Sequence, residues 1–196
     1  MRVVLSGYYG FDNAGDEALL TAISNSLRAL DETFEITVLS GNPERTATVH
    51  GVRAVSRINP LVLVRELSRA DLLISGGGSL LQDVTGPLSI PYYLGIVVLA
   101  KLLGTRVVFY AQGIGPVNRK LSRYLIKLVA NRVELITLRD HDSARLLKSM
   151  GVNRPPVHIT ADPVFSLRPT EEAIRKAESY LAQLGLRKEQ GIIGIS

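Results

Sequence analysis

The chain has 196 residues, of which 46% are hydrophobic and 21% charged, with a formal net charge of +5 and no cysteine. These values exclude a disordered chain, a disulfide framework and thiolate chemistry, and they leave room for one large domain or for one domain plus part of another. The positive balance suits an anionic ligand or surface. The opening apolar run Val3-Val4-Leu5 is far shorter than the core of a signal peptide. The longest uncharged stretch, residues 84–100, is broken by Gly86, Pro87, Pro91 and Gly95 and reads as a buried helix, too short for a membrane span. A soluble, cytoplasmic protein is expected.

Residues 2–6 read as a first strand and residues 16–30 as a helix with Leu19, Leu20, Ile23 and Leu27 at helical spacing. Between them runs Ser6-Gly7-Tyr8-Tyr9-Gly10-Phe11-Asp12-Asn13-Ala14-Gly15-Asp16-Glu17. A strand-to-helix turn needs one glycine and a cap; three glycines interleaved with aromatic and polar residues point to a binding loop. Strands are expected at 34–39 and 50–55, with a turn at Ser40-Gly41-Asn42-Pro43 between them. Asn59-Pro60 opens a helix over 60–69. A buried strand at 71–75 ends in Gly76-Gly77-Gly78-Ser79, followed by an apolar helix over 90–103. The strand at 106–111 ends in Gln112-Gly113-Ile114-Gly115-Pro116 and leads to a helix over 120–132. The strand at 134–138 ends in Arg139-Asp140-His141-Asp142-Ser143, and its helix runs to about residue 150. The strand at 157–160 ends in Ala161-Asp162-Pro163-Val164-Phe165. Thr170 caps a helix that Gly185 stops, and residues 191–196 begin another strand, either the last of the same sheet or the first of a second domain.

Apolar strands alternating with helices predict a Rossmann-like parallel sheet with helices on both faces. Ligands of such sheets bind outside the carboxyl ends of the strands, and five clusters, polar or glycine-bearing, fall at those ends. No G-x-G-x-x-G and no G-x-x-x-x-G-K-[ST] nucleotide signature is present. Gly76-Gly77-Gly78-Ser79, with Gln82 and Asp83 beyond it, either presents amides to a phosphate or makes a tight turn. Gln112-Gly113-Ile114-Gly115-Pro116 reads as structural, with Gln112, beside Gly113, as its one ligand candidate. Arg139 can grip a carboxylate or phosphate through paired N–H groups, or pair with an aspartate that caps the next helix. The three histidines are scattered without metal spacing, so no metal site is expected. Residues 119–132 form a basic amphipathic helix with Arg119, Lys120, Arg123 and Lys127 on one face and Leu121, Tyr124, Leu125, Leu128 and Val129 on the other. It reads as a solvated basic face over a packed stripe, or as a helix lying on an anionic membrane.

Together these clusters resemble the polysaccharide pyruvyl transferase family, most closely its CsaB-type branch, which modifies bacterial secondary cell-wall polymers. The first loop, residues 75–83, residues 110–116, the Arg139–Ser143 cluster and Ala161-Asp162-Pro163 carry the resemblance across almost the whole chain. It implies the N-terminal half of a two-domain, glycosyltransferase-B-like (GT-B) architecture, here residues 1–169, with residues 170–196 as boundary helix and first strand of a C-terminal domain. On that reading the chain alone is inactive and its partner is the C-terminal half of the same protein. The resemblance further implies transfer of a pyruvyl group from phosphoenolpyruvate, the donor substrate, to a lipid-linked amino sugar as a cyclic ketal. No cofactor and no nucleic-acid partner are expected, and contact with the inner membrane face is peripheral. Asp16 is the candidate base and Arg139 the candidate cation. Gly7, Tyr8, Tyr9, Gly10, Asn13, Gly15, Glu17, Gly76, Gly77, Gly78, Ser79, Gln82, Asp83, Gln112, Gly113, His141 and Ser143 are the candidate substrate contacts. Two other readings stay open: the acceptor-binding domain of a sugar-nucleotide-dependent glycosyltransferase, and a non-catalytic module that docks a lipid-linked sugar.

Overall fold

A computed structural model of the chain describes residues 1–84, 86, 88–186 and 191. The chain divides into two compact units, Met1–Phe165 and Ser166–Ser196. The first alternates strands and helices: β1 (Arg2–Ser6), α1 (Ala14–Leu30), β2 (Glu35–Ser40), α2 (Pro43–His50), β3 (Arg53–Ser56), α3 (Pro60–Arg69), β4 (Leu72–Gly76), α4 (Ser89–Leu102), β5 (Arg106–Gln112), α5 (Lys120–Ala130), β6 (Leu135–Leu138), α6 (His141–Ser149) and β7 (Val157–Ile159). The second unit holds α7 (Glu171–Gln183), whose first turn is capped by the Thr170 hydroxyl. The strand expected over residues 191–196 lies outside the described residues except for Gly191.

All seven strands are parallel, in the order β3-β2-β1-β4-β5-β6-β7. The strands alternate their apolar side chains between two layers. Val3, Leu5, Ile36 and Val38 pack with Leu20, Ile23 and Leu27 of α1. Val4, Leu73, Val107 and Ile136 pack with Leu67 of α3, Val97 of α4, Ile126 of α5 and Leu147 of α6. Burying both faces of the sheet explains why its strands read as continuous apolar runs. Side-chain caps start the helices: Asn13 on α1, Asn42 on α2, Asn59 on α3 and Asp140 on α6, each contributing about 1 kcal/mol.

Two expectations change. The segment read as a turn followed by a strand over 50–55 contains α2, and β3 is shorter than expected and begins at Arg53. In α5, the buried side chains are Ser122, Ile126, Val129 and Ala130, so Leu121, Tyr124 and Leu128 are not part of the packed stripe but face solvent. Among the described residues, no helix is long and apolar enough to cross a membrane.

The strand order reverses between β1 and β4, and at that switch point Ser6 lies opposite Ser75. The two glycine-bearing loops therefore leave the sheet side by side. β5 continues the row, with Tyr110 opposite Gly76, and bulges between Phe109 and Gln112. Ala111 in that bulge takes φ of 47°, a left-handed conformation that non-glycine residues rarely adopt.

Candidate functional site

The loop after β1 is pinned from beneath. Tyr9 turns inward, is 1% exposed, and donates its hydroxyl proton to the Gly76 carbonyl at 2.7 Å, tying the first loop to the end of β4. Gly7 passes directly over that ring. Glu17 accepts from the Gly10 amide at 2.8 Å and pairs with His50 Nε2 at 2.7 Å; Thr21 Oγ1 meets His50 Nδ1 at 3.1 Å. Asn13 accepts from the amides of Gly15 and Asp16, so the loop runs straight into α1.

With the loop so held, Tyr8, Asn13 and Asp16 point to the side of the cleft where Ser79, Leu80, Gln82, Ser89 and Tyr93 converge, and the eight residues line a cavity of ≈ 380 Å³. That lies within the range of small-molecule sites. Burial and the neighbouring Glu17 charge raise the Asp16 carboxyl to about 6, against the opposing pull of Arg139. Gly78 makes this possible. It takes φ of 67°, and a Cβ there would lie 2.8 Å from Asp16 Oδ1.

Arg139 closes the other side. Its guanidinium donates to Ser79 Oγ at 3.1 Å and to Asp162 Oδ2 at 3.2 Å. Gly113 leaves the space it occupies, since a Cβ there would stand 2.9 Å from Arg139 Nε and 2.8 Å from Ser79 Oγ. Five strand ends thus meet here: Asp16 after β1, Gly78 and Ser79 after β4, Gly113 after β5, Arg139 after β6 and Asp162 after β7.

Several expected contacts do not reach the cavity. Tyr9 is core, because its ring fills the space beneath Gly7. Glu17 faces a separate pocket with Gly10, Arg45 and His50, where it anchors the loop. Gln112 is fully buried: its Nε2 donates to Ser75, and its Oε1 is buried without a hydrogen-bond partner among the described residues. Asp83 accepts from the Asn118 and Arg119 amides and so starts α5. The Ser143 hydroxyl donates to Asp140 and accepts from the Ile114 amide, bracing α6 against the loop after β5. His141 is exposed at the first position of α6. Nor do the three glycines after β4 form an open cradle. Gly76 is a buried strand residue, and the Gly77 amide donates to the Tyr110 carbonyl while its Cα packs against Leu19. Among the described residues, no three His, Asp or Glu side chains cluster as a metal-binding group.

Sequence reasoning missed Arg57, which immediately follows the carboxyl end of β3. It is 8% exposed, and its guanidinium lies over the rings of Tyr92, Phe11 and Tyr93 at 4.3, 5.1 and 5.4 Å. Nε donates to the Tyr92 hydroxyl, which in turn donates to the Arg57 carbonyl. Nη1 is buried without a hydrogen-bond partner among the described residues. The charge is thus held by aromatic faces, at about 0.5–2 kcal/mol per contact. Phe11 in turn stacks on Tyr8 at 4.4 Å and 13° between planes, leaving an exposed aromatic shelf at the cavity mouth. The strand-end rule that found the other clusters applies equally to Arg57, but it stands next to the apolar Ile58 and not in a polar cluster such as Arg139–Ser143.

Among solved structures, the chain is similar to UDP-GlcNAc 2-epimerase from Neisseria meningitidis bound to UDP-GlcNAc, with a TM-score of 0.55 at 13% identity over 96% of this chain and 53% of that one. It is similar to UDP-N-acetylglucosamine 2-epimerase from Rickettsia bellii, with a TM-score of 0.53 at 12% identity over 97% and 52%. It is also similar to the S. aureus MnaA-UDP co-structure, with a TM-score of 0.53 at 12% identity over 83% and 44%. The chain spans about half the length of these structures, and likeness at such identity shows the shared Rossmann-like, GT-B-type fold alone. No curated protein matches the sequence. A family model described as polysaccharide pyruvyl transferase matches residues 13–192, a span that contains Asp16, Ser79, Arg139 and Asp162. The chain belongs to the polysaccharide pyruvyl transferase family.

Proposed function

We propose that this chain forms the acceptor-facing wall of an enzyme that transfers the pyruvyl group of phosphoenolpyruvate to two hydroxyls of a lipid-linked cell-wall amino sugar, in the cytoplasm. A proton adds to C3 of phosphoenolpyruvate, and C2 gains cationic character. A sugar hydroxyl bonds to C2, and the C2–O bond to phosphate breaks with release of inorganic phosphate. A second hydroxyl then closes the cyclic ketal.

The observation that carries this reading is the meeting of Asp16 and Arg139 across Gly78 and Ser79. A carboxyl raised to about 6 is poised as a base for a sugar hydroxyl near neutral pH. Arg139, oriented by Ser79 and Asp162, supplies a planar cation for the carboxylate or phosphate of the donor. The exposed Tyr8–Phe11 shelf offers an apolar face for one side of the sugar ring.

The test is phosphate release from phosphoenolpyruvate by the intact protein, with and without a lipid-linked amino-sugar acceptor. Release that depends on the acceptor is expected. Release that ignores the acceptor, or thermal stabilisation by a sugar nucleotide but not by phosphoenolpyruvate, would overturn the assignment and favour a glycosyltransferase.

A further inference from the structure

We infer that the outer face of α4 and α5 docks on an anionic lipid bilayer. Leu121, Tyr124 and Leu128 recur at i, i+3 and i+7, so they share one face of α5, and they are 67%, 61% and 41% exposed. On the neighbouring α4, Val98 and Leu102 are 41% and 79% exposed. Large apolar side chains scattered singly on a surface need no explanation; a recurring set on two helices that pack side by side does.

The charge pattern identifies the occupant. Neither α4 nor α5 contains an aspartate or glutamate. Lys120 and Lys127 are exposed beside the apolar stripe of α5. Lys127, Arg132 and Arg154 gather with Tyr124 and Leu128 around a groove of ≈ 310 Å³. Asn131 braces that groove, donating to the Lys127 and Gly151 carbonyls and accepting from the Asn153 and Arg154 amides. Exposed leucines, a tyrosine at their border and flanking cations are the composition of a helix that lies in a membrane interface. The groove suits the phosphate of a lipid headgroup.

The purpose of such docking rests on the lipid-linked acceptor proposed above, but the surface is testable by itself. Purified protein is sedimented with vesicles of phosphatidylcholine alone and of phosphatidylcholine mixed with phosphatidylglycerol, at low and high salt. Partition into the mixed vesicles, weakened by salt, is expected. Lys120→Gln and Lys127→Gln should each reduce it about fivefold. The double variant Leu121→Ser/Tyr124→Ser should reduce it further while leaving the melting temperature unchanged, since both side chains are exposed. Equal partition into the two vesicle types, or variants that partition like the parent, would overturn the inference. So would concentration-dependent dimerisation abolished by the same double variant, which would make the face a contact between copies. Vesicle binding without pyruvyl transfer would refute the proposed reaction and leave the docking surface standing. Transfer to a short water-soluble acceptor without vesicle binding would do the reverse.

Discussion

Two arginines border the cleft from opposite ends of the sheet, and they are held in opposite ways. Arg139, after β6, is bonded to a carboxylate and a hydroxyl, Asp162 and Ser79. Arg57, after β3, lies against three aromatic rings, two of them donating or accepting through hydroxyls. A guanidinium fixed by a carboxylate keeps a defined orientation and part of its donor set for a ligand. One fixed by rings spends its flat faces on packing and stiffens whatever those rings support. The β4–β6 side of the cleft is thus built to meet charge, and the β3–α4 side to hold a surface still.

The largest expected effect falls on Asp16, which faces Arg139 across Gly78. Asp16→Asn should lower turnover by about 10²–10⁴-fold, the usual contribution of a positioned base. The same change should raise thermal stability at neutral pH. The folded-state carboxyl is raised to about 6, above its ordinary value of about 3.9. Its contribution is therefore fully present below the lower value and lost as pH rises through the higher one. Melts of parent and variant should coincide in acid, separate between about pH 4 and about pH 6, and stay apart at higher pH with the variant higher. Melts that favour the parent at neutral pH would show that Asp16 is a stabilising ion-pair partner instead of a strained base.

Arg139→Ala should raise the KM for phosphoenolpyruvate about 10- to 150-fold, the loss of a hydrogen bond to a charged group. Arg139→Lys should recover only part of it, because an ammonium lacks the paired donors. Unchanged turnover and affinity in Arg139→Ala would remove Arg139 from the donor site.

Arg57→Lys tests the other side. If the rings position the acceptor, the variant should raise acceptor KM about fivefold, equivalent to one cation–π contact of about 1 kcal/mol, with donor KM unchanged. A drop in melting temperature with both KM values intact would leave Arg57 a purely structural residue. The smallest effect is expected for Ser79→Ala, about 2- to 10-fold in donor KM, since Arg139 itself remains and keeps its bond to Asp162 when the Ser79 hydroxyl is lost.

Asn42-Pro43 and Asn59-Pro60 show how far local signals carry. Both asparagines accept from backbone amides of the helix they start, with proline at its first position. Only the second was legible as a helix start, because residues 60–69 carry Leu63 and Leu67 at helical spacing, whereas Pro43–His50 buries only Thr46. A cap without an apolar stripe looks like a turn.

The carboxylates of Asp16 and Glu17 teach the same lesson at the site. They are adjacent in sequence and equally plausible at a helix start, but neighbours on a helix point about 100° apart. One therefore enters the cavity, and the other holds Gly10 and His50 behind it.

The amino-acid sequence by itself determined the parallel sheet, because strands buried on both faces must be apolar throughout. It also pointed to the carboxyl edge of the sheet, because the densest glycine and polar clusters follow those strands. The tertiary structure alone decided which side chains face the cleft. Tyr9, Gln112, Asp83 and Ser143 are as polar and as near the strand ends as Asp16, Ser79 and Arg139, yet each turns inward to satisfy a buried backbone group. Arg57 became visible only when the fold brought Phe11, Tyr92 and Tyr93 around it, from segments 46 and 35 residues away or more. Direction and long-range company are set by packing, and no local spacing encodes them.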